Sequence, residues 1–442
     1  MVFNKTGRLL KNYTFTYKSS RLECVREYKY LGFMVTPSGE VRTGLEDLRK
    51  RALKAYSKLR STLGPLFRQN VENSIHLYNY MVKPILTYCS DFWGCLQPKN
   101  NPVEKVHTMF CKHLLGVRKQ TNTDGVLQEM GMIPLQLYAA KAAVKNWERI
   151  QQKKANNILV ASNNFSSREN LPWAFNIRTI FSLNGMEYQY LQKVNETQER
   201  KYGPVSNKLY QILLQKFHLT SFETIKTSSK MKTLNLLKKT PGRESYLRDV
   251  TNVKHRSALS KLRLSAHKLE IETGRYKKTQ GKKTPAEERF CALCQFQGQE
   301  TVEDEIHFLI NCPMLKELRE SSLPSEILQN KDLSAEQKFV ELMSNSDVKT
   351  VSKFVYQAFN DREIKLDVLS TLKDLVSSTE LMLKQGENAP NHTKLDYEVT
   401  WLSDDGMKLK LSEKIGPDPV KSDKYKVKWL SNDGLKLKLS KT

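Results

Sequence analysis

Four residues past the midpoint constrain this chain more than any others: Cys291-x2-Cys294-x12-His307-x4-Cys312. A Cys-x2-Cys turn aims two thiolates at one point, and a His and a Cys on a short following helix complete a tetrahedral Cys3His set. All four positions are protein, so the ion expected is a structural zinc with no place left open for a substrate. Three of the seven cysteines fall within 22 residues, and an odd, sparse total fits a reducing compartment better than a disulfide framework. The expected location is therefore intracellular, nuclear or cytoplasmic. Glu303, Asp304 and Glu305 stand just ahead of His307, either to orient its imidazole or to meet the positive end of a helix.

Charge is the second constraint. The 442 residues hold 72 lysines and arginines against 47 acids, a formal +25. Such a field favours a polyanionic partner, with RNA, DNA or an RNA–DNA hybrid ahead of an anionic membrane face. Between Lys226 and Arg289, 18 cations face six acids in 64 residues, so about half of the excess is local. No run approaches the ~20 apolar residues that span a bilayer, and the opening MVFNKTGRLL lacks a secretory apolar stretch. No membrane partner is expected.

The hydrophobic pattern predicts a mostly α fold with small β elements (α+β). Residues 1–44 alternate as strands: Tyr13, Phe15 and Tyr17 begin a hairpin closed by Ser19-Ser20, and a second extended piece from Cys24 to Val35 ends at Pro37-Ser38-Gly39. Residues 45–155 read as a helical region. Its first helix aligns Leu45, Leu48, Ala52, Ala55, Tyr56, Leu59 and Leu63, leaves Lys50, Lys54 and Lys58 outside that stripe, and stops at Gly64-Pro65. Further helices are expected from Val71 to Cys89 with a break at Pro84, from Asn101-Pro102, and from Pro134 to Ile150. Asn156–Asn170, rich in Asn and Ser, reads as a surface linker.

In the basic helical region, 171–289, a helix over Lys254–Leu269 turns Ala258, Leu259, Leu262, Ala266 and Leu269 inward. Lys254, Lys261 and Lys268 then form one rim, and Arg256 and Arg263 the other. His255 and His267 are expected to face solvent or phosphate, and Arg275, Lys277 and Lys278 extend the charge. A zinc knuckle occupies 290–320, and a helical segment with breaks at Pro324 and Asn345-Ser346 occupies 321–386. In 394–442 a stretch repeats at an offset of 28 residues around Asp-Gly, which predicts a duplicated β-hairpin.

Other constellations read as structural. Cys89, Cys95, His107, Cys111 and His113 are irregularly spaced within apolar helical patterns, as buried groups rather than a second metal site. Asp404-Asp405 resembles a polymerase magnesium pair, but the second copy reads Asn432-Asp433, so the pair is turn chemistry and no magnesium is expected on this chain. No phosphate-cradling glycine loop, nucleophile elbow or HExxH is present.

Several stretches, in order, resemble the reverse transcriptases of non-LTR (LINE-type) retrotransposons. Met1-Val2-Phe3 resembles the end of the segment after the catalytic palm, and Tyr28-Lys29-Tyr30-Leu31-Gly32 the primer grip. Leu86-Thr87-Tyr88, Trp93-Gly94 and Lys112 to Arg118 resemble the region after the thumb. His255-Arg256 through Leu264, Ile271 to Tyr276 and above all the Cys/His motif with Cys312-Pro313 resemble the zinc-bearing end. The likeness covers about residues 1–320. It implies Tyr28, Lys29, Tyr30 and Gly32 against a primer end, the 45–63 helix as a thumb along the duplex, and the basic region with its knuckle holding RNA or target DNA. In that family the catalytic aspartates lie upstream of the primer grip, so the chain is expected to bind nucleic acid without polymerising it. The partner expected at the terminal hairpins is an upstream palm or a host protein. Two alternatives stand beside this reading. One is a domesticated host scaffold. The other is a restriction-like nuclease using Asp361-Arg362-Glu363-Ile364-Lys365, which lacks a preceding Pro-Asp.

Overall fold

Polar caps set the helix starts. Asn70, Asn101, Asn122, Asn157 and Asn252 each accept a hydrogen bond from a free backbone N–H of the helix that follows, a position that favours asparagine. The structure is a computed structural model that describes residues 3, 7–8, 14–98, 100–154, 156–191, 204–279, 281–385, 395–400, 408–413, 424–430 and 436–441. It is mostly helical. Among the described residues the helices of eight residues or more are α1 (Arg42–Leu63), α2 (Val71–Met81), α3 (Pro102–Leu115), α4 (Thr123–Met130), α5 (Leu135–Gln151) and α6 (Ile158–Arg168). They continue as α7 (Pro172–Leu183), α8 (Val205–Thr227), α9 (Val253–Arg263), α10 (Ala335–Asn345) and α11 (Val348–Gln385).

The breaks fall where the sequence places them. The chain interrupts its helix at Val82 and restarts over Lys83–Leu86 with Pro84 in the first turn, and α10 and α11 part at Ser346. Two expectations are corrected. Asn156–Asn170 is no linker: Asn157 caps α6, which packs on α5 and α7, and tertiary contact overrides the weak helix propensity of Asn and Ser. The helix expected to reach Leu269 ends at Arg263, and Ser265 takes a left-handed φ of 47° that redirects the chain while Ala266, His267 and Leu269 stay buried.

Residues Met1–Asp367 cluster as one unit. Its first core lies between α1, α2 and α3, where Tyr78 stacks on Phe110 at 4.0 Å and Tyr56 meets Phe67 and Phe110 edge-on. A second core gathers Trp147 of α5, Ile177 and Phe181 of α7 and Leu209 of α8. At the N-terminal end β1 (Phe15–Tyr17) pairs with β2 (Ser20–Leu22); Tyr13 lies outside the described residues. The second extended piece is itself a hairpin, β3 (Tyr28–Tyr30) against β4 (Phe33–Val35), which corrects the single strand expected there. Its turn, Leu31-Gly32, is left-handed at both residues, φ 45° and 83°, the geometry that matches strand twist. Glycine adopts it freely; Leu31 is held there because Tyr88 Oη donates to its carbonyl while Arg51 donates to that of Gly32 at 2.8 Å.

A short ladder, β5 (Lys278–Thr279) with β6 (Lys282–Lys283), follows α9. Val368–Thr442 cluster as a second unit. There β7 (Leu395–Thr400), β8 (Lys408–Glu413), β9 (Lys424–Leu430) and β10 (Lys436–Lys441) form an antiparallel sheet in the order β10-β9-β8-β7. Each copy of the repeat is thus a hairpin. The tips that carry Asp404-Asp405 and Asn432-Asp433 lie outside the described residues.

Candidate metal centre and basic surfaces

Cys291 precedes the helical turn Ala292–Phe296, which carries Cys294, while His307 opens a second turn, His307–Asn311, that delivers Cys312 at its end. All four are buried, and one donor atom from each lies within 4.8 Å of the others. Cys294 Sγ is 3.9 Å from Cys312 Sγ and 3.4 Å from His307 Nε2. A tetrahedral ion with metal–sulfur bonds of about 2.3 Å and metal–nitrogen bonds of about 2.0–2.1 Å requires edges of roughly 3.8 and 3.5 Å. The group is shaped to hold a metal ion, and its donors are compatible with zinc. The hydrogen bond with Cys312, followed by burial, pushes the Cys291 thiol up, and burial pushes that of Cys294 up to about 12. An ion entering the site therefore displaces protons.

None of the three acids ahead of His307 bonds its imidazole, whose Nδ1 is buried without a partner. Asp304 accepts the backbone N–H of His307 at 2.7 Å, so the helix-end role is the one it performs. Glu305 accepts from His267 at 2.9 Å and from Ser265 at 2.8 Å. Glu303 receives both nitrogens of an Arg362 fork at 2.6 Å, accepts the Glu270 N–H at 2.7 Å, and reaches within 3.5 Å of Cys291 Sγ. Arg319 donates to the carbonyls of Leu309 and Cys312, both at 2.8 Å, which fixes the second ligand turn.

The basic residues expected to face a ligand separate into three groups: exposed lysines, a buried arginine rim and cations paired with acids. Lys50, Lys54, Lys58 and Lys254 are exposed and make no ion pair among the described residues, whereas Lys261 is half-buried. Lys278 is exposed, directly across the ladder from Lys283. Tyr28 and Tyr30 are exposed, and Lys29 lies 3.8 Å from Asp47 of α1.

The opposite rim of α9 faces inward, a correction. Arg256 is 1% exposed and donates to the carbonyls of Val250 at 2.6 Å, of Gln69 at 3.3 Å, and of Arg68; burial lowers its pKa to about 10. Arg263 is 4% exposed and is forked onto Glu129, with Glu244 at 2.7 Å. His267 is buried against Glu305 rather than turned to solvent or phosphate. The physical reason is shared: this edge packs where carbonyl oxygens and carboxylates need donors. Lys268, Arg275 and Lys277 are already matched by Glu363, Glu272 and Glu270, at 2.7, 2.9 and 2.7 Å.

His107 and His113 accept or donate at Tyr78 and Tyr56, at 2.8 and 2.6 Å, and burial pushes both imidazoles down to about 4. Among the described residues the Cys291 group is the one cluster shaped for a metal. In the 361–365 stretch Asp361 pairs with Lys365 at 2.8 Å, Arg362 is buried on Glu303, and Glu363 pairs with Lys268. The outer face of α5, where Lys141, Lys145 and Arg149 recur every four residues, is not among the basic sites expected from the sequence, although the four-residue spacing is the signal that marks it. Comparison of the chain with family models, curated proteins and solved structures finds no match.

Proposed function

We propose that the chain binds nucleic acid along the face built by hairpin β3–β4 and α1, and that a structural zinc holds the Cys291 group. The observation that carries this reading is the row Lys50, Lys54 and Lys58, exposed and unmatched by acids among the described residues. The row runs in steps of about 6 Å along α1, and its helix anchors the hairpin that exposes Tyr28 and Tyr30. Lysines neutralise phosphates and release counterions, and tyrosine rings offer faces to bases. With the sequence resemblance, this supports a role as the gripping, non-polymerising part of a non-LTR reverse transcriptase, with RNA, DNA or their hybrid as partner. The odd, sparse set of seven cysteines suits an intracellular setting.

The test is binding of the full chain to an RNA–DNA hybrid over a salt series. The reading expects Lys50→Gln/Lys54→Gln/Lys58→Gln to make the slope of log K against log salt shallower by about 2.7, taking about 0.9 per phosphate contact. A wild-type chain whose binding is absent or insensitive to salt refutes it. In that event a scaffold role gains ground, because Ile158, Phe165 and Phe175 of α6 and α7 are exposed apolar side chains. The nuclease alternative has little to draw on, since each acid in 361–365 is ion-paired.

A further inference from the structure

We propose that α5 carries a second track, one that takes the phosphodiester backbone of an unpaired strand along Lys141, Lys145 and Arg149. This rests on the nucleic-acid reading above and concerns a different surface. The helix is two-sided: Ala143, Val144, Trp147 and Ile150 are buried, while Lys145 and Arg149 are exposed and Lys141 is half-exposed. Steps of four residues set the three side-chain origins about 6 Å apart along the helix axis, close to the spacing of neighbouring phosphates in an extended strand.

The cations line a groove of about 460 Å³ between α5 and the start of α8, where Ser206 and Asn207 form the opposite wall. Its two acids do not neutralise them. Glu148 is buried and accepts the Ser206 N–H at 3.0 Å, and Asp91 at the rim makes no ion pair with any of the three. Arg149 is steadied by Asn146 Oδ1 at 2.8 Å. Lys141 Nζ lies over the Tyr210 ring at 4.7 Å; beside it Lys83 Nζ lies over Tyr138 at 3.6 Å, and the two rings are 5.9 Å apart. The Tyr210 contact orders the Lys141 ammonium on the groove wall without neutralising it.

Like charges four residues apart cost a helix a few tenths of a kcal/mol per pair, and among the described residues no carboxylate pairs with any of the three. An anionic chain along the row offsets that cost. An extended strand offers about one phosphate per step of the row, with Ser206 and Asn207 as polar partners on the facing wall, so the occupant assigned is single-stranded RNA or DNA, recognised through phosphate.

The test uses the full chain with labelled oligonucleotides of one sequence as single-stranded RNA, single-stranded DNA and duplex, over a salt series. The variant is Lys141→Gln/Lys145→Gln/Arg149→Gln, which keeps helix propensity, and its circular dichroism and melting are checked against wild type. At about 0.7 per phosphate on single strands, three lost contacts make the salt slope shallower by about 2 and weaken binding about 100-fold at 0.1 M salt. Both single strands should respond alike, and duplex affinity should change less than about threefold. If wild type binds single strands and the variant binds them equally well, the track is overturned while the α1 reading stands. If wild type binds no polynucleotide, the underlying reading falls and the track with it. Displacement of the oligonucleotide by poly-glutamate at equal charge would assign the row to acidic protein segments and also overturn the proposal.

Discussion

Replacing Arg263 with Met separates a structural arginine from a ligand-binding one. In the fold its side chain is 5% exposed and that of Glu129 is 0% exposed, while Tyr246 covers the guanidinium at 5.3 Å. Removing the cation strands a carboxylate that water cannot reach, a loss of about 3–5 kcal/mol for buried pairs. An independent figure agrees: two unit charges about 4 Å apart at an effective dielectric near 20 interact by about 4 kcal/mol. With about 2.1 cal/mol/K of unfolding entropy per residue, the unit Met1–Asp367 converts each kcal/mol into about 1.3 °C. The expected fall in Tm is therefore about 4–7 °C by scanning calorimetry. Arg263→Met/Glu129→Met should recover more than half of it, because an apolar pair of similar volume leaves no stranded charge; Glu244 keeps Lys238 at 2.6 Å. Nucleic-acid affinity per folded molecule should stay within about twofold. If Arg263→Met melts within about 1 °C of wild type and binds nucleic acid tenfold more weakly, the inward assignment of this rim is wrong.

Metal analysis of the native protein should find one zinc per chain, and either a chelator or Cys294→Ser should open residues 290–320 to protease. Fewer than about 0.2 zinc per chain, or no change in cleavage, rejects the centre. Acid titration should expose opposed groups on α3, Glu104 on one side and His107 and His113 on the other. Burial pushes Glu104 up to about 7, so its protonation adds stability as pH falls from 7 toward 4.5. Burial pushes His107 down to about 4, so its stabilisation is lost as pH falls from 6.5 toward 4. His113 on the same helix is lowered in the same way and adds its own loss in all three proteins. Relative to wild type between pH 7 and 5, Glu104→Gln should lose about 2 kcal/mol more and His107→Gln about 2 kcal/mol less, read from urea midpoints; parallel curves for all three proteins would refute the assignment.

Legibility followed the reach of each interaction. The metal group could be read because its four donors lie within 22 residues, and two thiols spaced for one ion have few other uses. The span of α1, the Asn101-Pro102 start and the break near Pro84 were readable because caps and proline act within one turn. The buried rim of α9 was not. Periodicity marks two edges of an apolar stripe, and which edge is covered depends on Glu129, 134 residues away. The turn at Leu31-Gly32 was equally hidden, because a leucine does not signal a left-handed turn and the group that holds it, Tyr88, is 57 residues distant. In α6 composition misled: an asparagine counted toward a loop is the residue that starts the helix.

Glu303 has a consequence for how the protein is made. On a growing chain it emerges 59 residues before Arg362, the only arginine that meets its carboxylate in the finished fold among the described residues. Until then that charge must keep its water, so the loop around Cys291 cannot close fully at birth. Nascent molecules released short of α11 would leave a carboxylate beside Cys291 without its cation, so the ligand loop reaches its finished packing only when the C-terminal helix arrives.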